Sequence, residues 1–333
     1  MIGKSHVRLA PRKSRRTLLW LWLAVSASGA QALELQAHRG GRGLWPENTL
    51  AAFDQAIALG VDTLELDIAM TADDAIVVSH DMALNPSHTR DMNGAWLATG
   101  ARIRTLTLQQ LQRYDVGRIQ PGTDYAKHFA GQAPRHREHI PTLAAVFALA
   151  HARKADTVRF NIETKIDPTR PDDTASPETM VRGLLAEIGK AGMAQRVTIQ
   201  SFDWRTLALV GEVAPGMPRA YLTSERGGML KDSRWTAGMT AADFTSTPRL
   251  VKAAAGERSG RVTWSPSLND ITVRAVEEAR SLGLRVVPWT VNRPVEMKTL
   301  IDLGVDGLIT DFPDLLREEM RERGFRLPTA YTP

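Results

Sequence analysis

The sequence has 333 residues, no cysteine, 43% hydrophobic residues and a formal net charge of +5. That length supports one large domain or two ordinary ones, and the absence of thiols excludes disulfides, thiol catalysis and zinc–thiolate sites together. Six of the 42 basic residues fall within residues 1–32, where there is no acid, so the remaining 36 meet 37 acids and the basic charge argues for neither nucleic acid nor a membrane as partner.

Residues 1–32 read as a leader. A basic stretch ends at Arg16, an apolar run spans Leu18 to Val25, and small residues lead to Ala30-Gln31-Ala32. This is the pattern of a secretory signal peptide, and Arg15-Arg16 fits a twin-arginine variant. The expected location is therefore periplasmic or secreted. No later apolar run reaches the roughly 20 residues a membrane span needs.

After the leader, strand-like and helix-like runs alternate. The expected strands are Glu34–Arg39, Thr63–Ala69, Val158–Lys165, Val197–Phe202, Arg219–Leu222, Val262–Ser265, Arg285–Val291 and Gly307–Thr310. Helices are expected over Thr49–Leu59, Leu143–Arg153, Pro177–Ala191, Trp204–Val213, Thr272–Leu282, Pro294–Leu303 and Pro313–Arg323. Such alternation means a parallel sheet covered by helices, and eight strands in this length favour a single (β/α)₈ TIM barrel over residues 33–333. Asn48-Thr49 and Ser176 are placed to cap helices, and Gly60, Gly192, Gly283 and Gly304 to end them. Two stretches break the rhythm. Ile76–His80 reads as an extra strand in a hairpin through Asp73-Asp74, followed by an insertion of about 60 residues, 82–141, expected to roof the barrel mouth. A second long excursion is expected over Ser224–Arg261.

Barrel chemistry gathers at the C-terminal ends of strands. Glu65 and Asp67, two apart, share one face of their strand while Leu64, Leu66 and Ile68 share the other; Glu163 and Lys165 repeat the arrangement. Carboxylates crowded inside a barrel mouth repel one another, and a hard divalent cation relieves this. His38 and His80 end strands beside that cluster, where imidazole can take and return a proton. Arg39 and Lys165 are then cations for a phosphate.

These residues, in order, resemble the glycerophosphodiester phosphodiesterase family. The carrying motifs are His38-Arg39-Gly40, Pro46-Glu47-Asn48-Thr49, Glu65-Leu66-Asp67, His80-Asp81, Glu163-Thr164-Lys165, Trp289-Thr290-Val291-Asn292 and Gly304 through Pro313. The resemblance implies one divalent cation, Ca²⁺ or Mg²⁺, on Glu65, Asp67 and Glu163. It also implies an acid/base pair in His38 and His80, in either order, and phosphate contacts from Arg39 and Lys165. Trp289 and Phe202 would line the pocket, with Trp264 a further candidate, and Glu47 is expected beside Arg39 or at the edge of the metal shell. The implied reaction passes through a cyclic phosphate and yields sn-glycerol 3-phosphate and an alcohol such as choline, ethanolamine or glycerol.

The nearest rival is a related enzyme of lysophospholipase D type, which an apolar roof would favour over the mostly polar 82–141. A retaining glycosidase leaves His38, His80 and Lys165 without a role. An inactive binding protein does not explain why every expected catalytic position holds a competent residue.

Overall fold

Alternation along one strand sets the layers. In β2 (Thr63–Met70), Leu64, Leu66 and Ile68 are fully buried and point outward to the helices, while Glu65 and Asp67 point into the barrel. The computed structural model describes residues 1–4, 33–256 and 261–332; the expected leader, 5–32, lies outside the described residues.

Eight parallel strands follow one another around the barrel in the order β8-β7-β6-β5-β4-β2-β1-β9. They are β1 (Glu34–Ala37), β2, β4 (Arg159–Thr164), β5 (Val197–Ser201), β6 (Arg219–Thr223), β7 (Val262–Pro266), β8 (Arg285–Val286) and β9 (Gly307–Thr310). The extra strand β3 (Ile76–Val78) pairs antiparallel with β2, as the hairpin through Asp73-Asp74 requires. Between β8 and β9 the seam is carried by main-chain bonds from Asp306 N to Val286 O (2.9 Å), Ile309 N to Pro288 O (3.0 Å) and Val291 N to Ile309 O (2.9 Å). The expected strand Arg285–Val291 is thus cut to two regular residues, and Pro288, without an N–H, cannot extend a ladder.

The outer layer is α1 (Leu50–Leu59), α4 (Leu143–Ala152), α5 (Pro177–Lys190), α6 (Trp204–Val213), α7 (Thr247–Ala255), α8 (Val273–Ser281), α9 (Pro294–Asp302) and α10 (Pro313–Glu322). Thr49 and Ser176 cap α1 and α5, and Gly60, Gly192, Gly283 and Gly304 all have positive φ, as expected. Helix α7 was not expected from the sequence. Its signals are Ser246, which caps it through Arg249 N, Pro248 in its first turn, and Leu250, Val251 and Ala255 on its buried side. The main apolar core lies between strands and helices; Phe147 of α4 meets Phe160 of β4 edge to face at 5.0 Å, a contact of about 1 kcal/mol beyond area burial.

The insertion holds two short helices, α2 (Leu108–Leu111) and α3 (Asp124–His128). Its own small core of Leu84, Ile103, Leu111, Val116 and Ile140 sits on Ala69 and Val77, so the β2–β3 hairpin anchors it.

Candidate active site

The chain turns sharply where β1 ends. Arg39 takes a left-handed φ of 53° and Gly40 a φ of 80°, where an added Cβ would lie 3.0 Å from both Ala52 and Phe53. Only a residue without Cβ fits this turn without strain. The turn lifts His38 and Arg39 off the strand and over the barrel mouth, where Arg39 N donates to Glu65 Oε2 at 2.9 Å.

Glu65, Asp67 and Glu163 converge there, with one carboxylate oxygen from each lying within 4.8 Å of the others. A buried polar network positions them. Gln200 Nε2 donates to Glu65 Oε1 at 2.6 Å, and Asn161 Nδ2 ties Gln200 (2.8 Å) to Gln36 (2.9 Å) across three strands. Asn48 Nδ2 donates to Asp67 Oδ2 at 3.0 Å. Lys165 Nζ reaches Glu163 Oε1 at 2.7 Å and stands 3.8 Å from Asp67 Oδ1.

The electrostatics follow from burial. Burial first, then Asp67 and Glu163, pushes the Glu65 carboxyl well above its usual range. Glu163 is pushed up to about 7 by burial and Asp67, against the pull of Lys165. Burial also opposes charge on Asp67, but His80, Arg39 and Lys165 outweigh it and hold this acid ionised. Asp67 Oδ1 is buried with no hydrogen-bond partner. An all-oxygen triad with two carboxyls forced toward protonation and one unpartnered anionic oxygen is chemically suited to a hard divalent cation.

Each histidine is backed by a carboxylate at Nδ1. His38 Nδ1 meets Asp311 Oδ1 at 2.5 Å and His80 Nδ1 meets Asp81 Oδ1 at 2.8 Å. In the neutral ring this places the proton on Nδ1 and the lone pair on Nε2, and His38 Nε2 faces Glu65 Oε2 at 3.9 Å. Burial lowers both rings, His38 to about 4, so His38 is neutral at pH 7. Asp311 is itself fixed by Arg42 Nε (2.7 Å) and Asn292 Nδ2 (2.7 Å). Glu47 lies beside Arg39, accepting from Nη1 at 3.0 Å. On the far rim Phe202 and Trp289 meet edge to face at 5.3 Å, and Lys165 Nζ lies 6.0 Å from the Phe202 ring. Trp264 is not with them: it is buried in the core and donates to Thr223 Oγ1.

The structure thus brings His38, Arg39, Glu65, Asp67, His80, Glu163, Lys165 and Trp289 to one mouth. The residues that sequence reasoning passed over are those behind them: Asp311, Arg42, Gln200, Asn48 and Tyr125. Asp311 had a signal, an acid directly after the last strand; Gln200 had one too, as an amide inside an apolar strand. Tyr125 had none.

Residues 38–315 match the glycerophosphoryl diester phosphodiesterase family. The chain belongs to that family. It is therefore a phosphodiester hydrolase by kinship, and the family in general depends on a divalent metal. A glycerophosphodiester phosphodiesterase of Caldanaerobacter subterraneus subsp. tengcongensis is 29% identical over 288 residues, covering 86% of this chain and 98% of that one. A human lysophospholipase D is 25% identical over 297 residues, covering 85% and 84%. The crystal structure of a candidate glycerophosphoryl diester phosphodiesterase from Silicibacter pomeroyi superposes with a TM-score of 0.79 at 32% identity, covering 89% of this chain and 95% of that one.

Proposed function

We propose that this chain hydrolyses small glycerophosphodiesters, such as glycerophosphocholine and glycerophosphoethanolamine, to sn-glycerol 3-phosphate and a free alcohol. The observation that carries this reading is the buried triad with its unpartnered Asp67 oxygen, ringed by two cations and two carboxylate-backed histidines. Glu65, Asp67 and Glu163 would hold a divalent cation, Ca²⁺ or Mg²⁺, which would supply Lewis-acid chemistry beside the phosphate. Arg39 and Lys165 bind the remaining phosphate charge. One histidine accepts the proton of the attacking glycerol hydroxyl through Nε2 and the other protonates the departing alkoxide, leaving a cyclic phosphate. Water then opens that ring to sn-glycerol 3-phosphate with the two histidines exchanging roles. Phe202 and Trp289 form an apolar wall for the alcohol.

The mostly polar roof favours a soluble head group; Met92 is the one strongly exposed large hydrophobic residue among the described residues of 82–141. A panel of glycerophosphodiesters and a lysophospholipid, assayed for glycerol 3-phosphate and for free alcohol, tests the assignment. Glycerophosphocholine or glycerophosphoethanolamine should turn over at least about ten-fold faster than the lysophospholipid. A preference for the lysophospholipid establishes the lysophospholipase D reading instead.

We also propose that residues 1–32 are removed on export, leaving residues 33–333 as the working barrel in the periplasm or medium. The three-part sequence pattern supports this, and no described helix is long and apolar enough to cross a membrane. Mass spectrometry of the protein from the exported fraction should find its first residue near Leu33. Full-length protein retained in the cytoplasm refutes the proposal.

A further inference from the structure

Both oxygens of the buried Glu47 carboxylate are taken. Oε1 accepts from Arg39 Nη1 at 3.0 Å, while Oε2 accepts from the Tyr125 hydroxyl and stands 3.7 Å from Arg42 Nη1. Arg39, Arg42 and Glu47 belong to the loop after β1, but Tyr125 comes from α3 of the insertion. Its ring is held between His88, at 5.5 Å, and Phe129, at 4.9 Å. The same short helix region reaches Arg42: the guanidinium lies over the Phe129 ring at 5.1 Å, and Gln132 Nε2 donates to Arg42 O at 2.7 Å.

Arg39 has two competing carboxylates. Its main chain is pinned, with N on Glu65 Oε2 (2.9 Å) and O accepting from Asn48 N (2.9 Å). Only the guanidinium is left to place, and it sits between Glu47 and Asp67, whose Oδ2 is 3.4 Å from Nε. While Glu47 is held, Nη1 is drawn away from Asp67. A Glu47 free to turn surrenders that hold, and Arg39 closes on Asp67 and withdraws from the phosphate position. Among the described residues, the Tyr125 hydroxyl is the one hydrogen-bond donor on Glu47 that the barrel itself does not supply.

We propose that Tyr125 is a positioning residue for phosphate binding: its hydroxyl fixes Glu47, Glu47 fixes Arg39, and the insertion thereby completes the phosphate grip. This rests on the reading of Arg39 as a phosphate contact. It makes the insertion part of the binding apparatus as well as its roof. Burial and the adjacent Glu47 charge keep the phenol protonated across the working range, so the donor is always present.

Tyr125→Phe tests this, since it keeps both ring contacts and removes only the hydroxyl. With glycerophosphocholine, KM should rise about ten-fold, because a hydrogen bond to a charged group is lost, while kcat stays within about two-fold, since Arg39 grips ground and transition state alike. The inhibition constant of glycerol 3-phosphate should weaken by the same factor. Glu47→Gln should reproduce the effect, and the double variant should add little to either single one. Unchanged KM and inhibition constant with a lowered melting temperature would show a mere strut and overturn the proposal, as would effects that multiply in the double variant. Failure of the substrate reading is told apart by the wild-type protein: if it cleaves no glycerophosphodiester, inorganic phosphate binding by calorimetry becomes the readout. Binding about ten-fold weaker in Tyr125→Phe then supports the clasp, and equal binding refutes it.

Discussion

Asp311→Asn lowers kcat by about 10²–10⁴-fold, close to the loss expected from His38→Ala, although Asp311 touches no substrate. The reason is hydrogen-bond polarity. Asp311 Oδ1 accepts from His38 Nδ1 and Arg42 Nε, and Oδ2 accepts from Asn292 Nδ2. An amide has one accepting and one donating end. With its NH₂ toward Asn292 it sets donor against donor, and Asn292 cannot turn to help because its Oδ1 already receives Asp311 N at 2.9 Å. With its NH₂ toward His38 it forces the proton onto Nε2 and removes the lone pair that faces the mouth. The second outcome takes His38 out of the reactive tautomer, while the first keeps the tautomer but removes the carboxylate charge that stabilises the imidazolium. Neither loss should be recovered by shifting pH. The double variant His38→Ala/Asp311→Asn should be no slower than His38→Ala alone. A folded Asp311→Asn enzyme, by circular dichroism, with kcat within about three-fold of wild type would sink this role for His38 as well as for Asp311.

That residue also marks the limit of what one sequence shows. The barrel was legible because two periodicities differ: period two with apolar alternation in Leu64–Ile68 against amphipathic spacing in the helices. Seven of the expected site residues were legible as candidates because charged or titratable groups on or at the ends of apolar strands carry a desolvation cost that chemistry explains, whereas Trp289 came only from the resemblance. Asp311, Gln200 and Asn48 act by accepting or donating one bond to those residues. The placement of Asp311 and Gln200 marks them as polar groups near the mouth, but a single bond leaves no spacing that says which residue it meets. Tyr125 meets Glu47 across 78 residues of sequence, a proximity created by the folded insertion and by nothing local. Trp264 failed for the opposite reason, since an indole beside a strand end reads alike whether it faces the mouth or the core. Helix α7 was concealed by its setting, a short amphipathic segment inside a long polar stretch, despite the Ser246–Pro248 start.

Chelation takes activity to background, and added Ca²⁺ or Mg²⁺ returns it; two of the same carboxylates, Glu65 and Glu163, should make metal-free stability fall as pH rises. Glu65 is raised well above the usual range and Glu163 to about 7, each by burial first and by its carboxylate neighbours next. A carboxyl raised on folding binds more protons folded than unfolded, so stability is greatest below the unfolded value near 4.5 and is lost as pH climbs through about 7. The loss is on the order of 3 kcal/mol for Glu163, enough to move the melting temperature by several degrees. In chelator, therefore, the protein should melt lower at pH 8 than at pH 5.5. A divalent cation binds the ionised carboxylates, so at pH 8 it should raise the melting temperature, and more so as its concentration exceeds Kd. Glu163→Gln separates cation binding from general charge: it removes one of the repelling groups, so in chelator the melting temperature should depend less on pH, while the cation-induced rise shrinks sharply. A melting temperature at pH 8 that ignores both chelator and cation, with activity intact in EDTA, would refute the metal assignment and leave three buried acids without a counter-charge beyond Arg39 and Lys165.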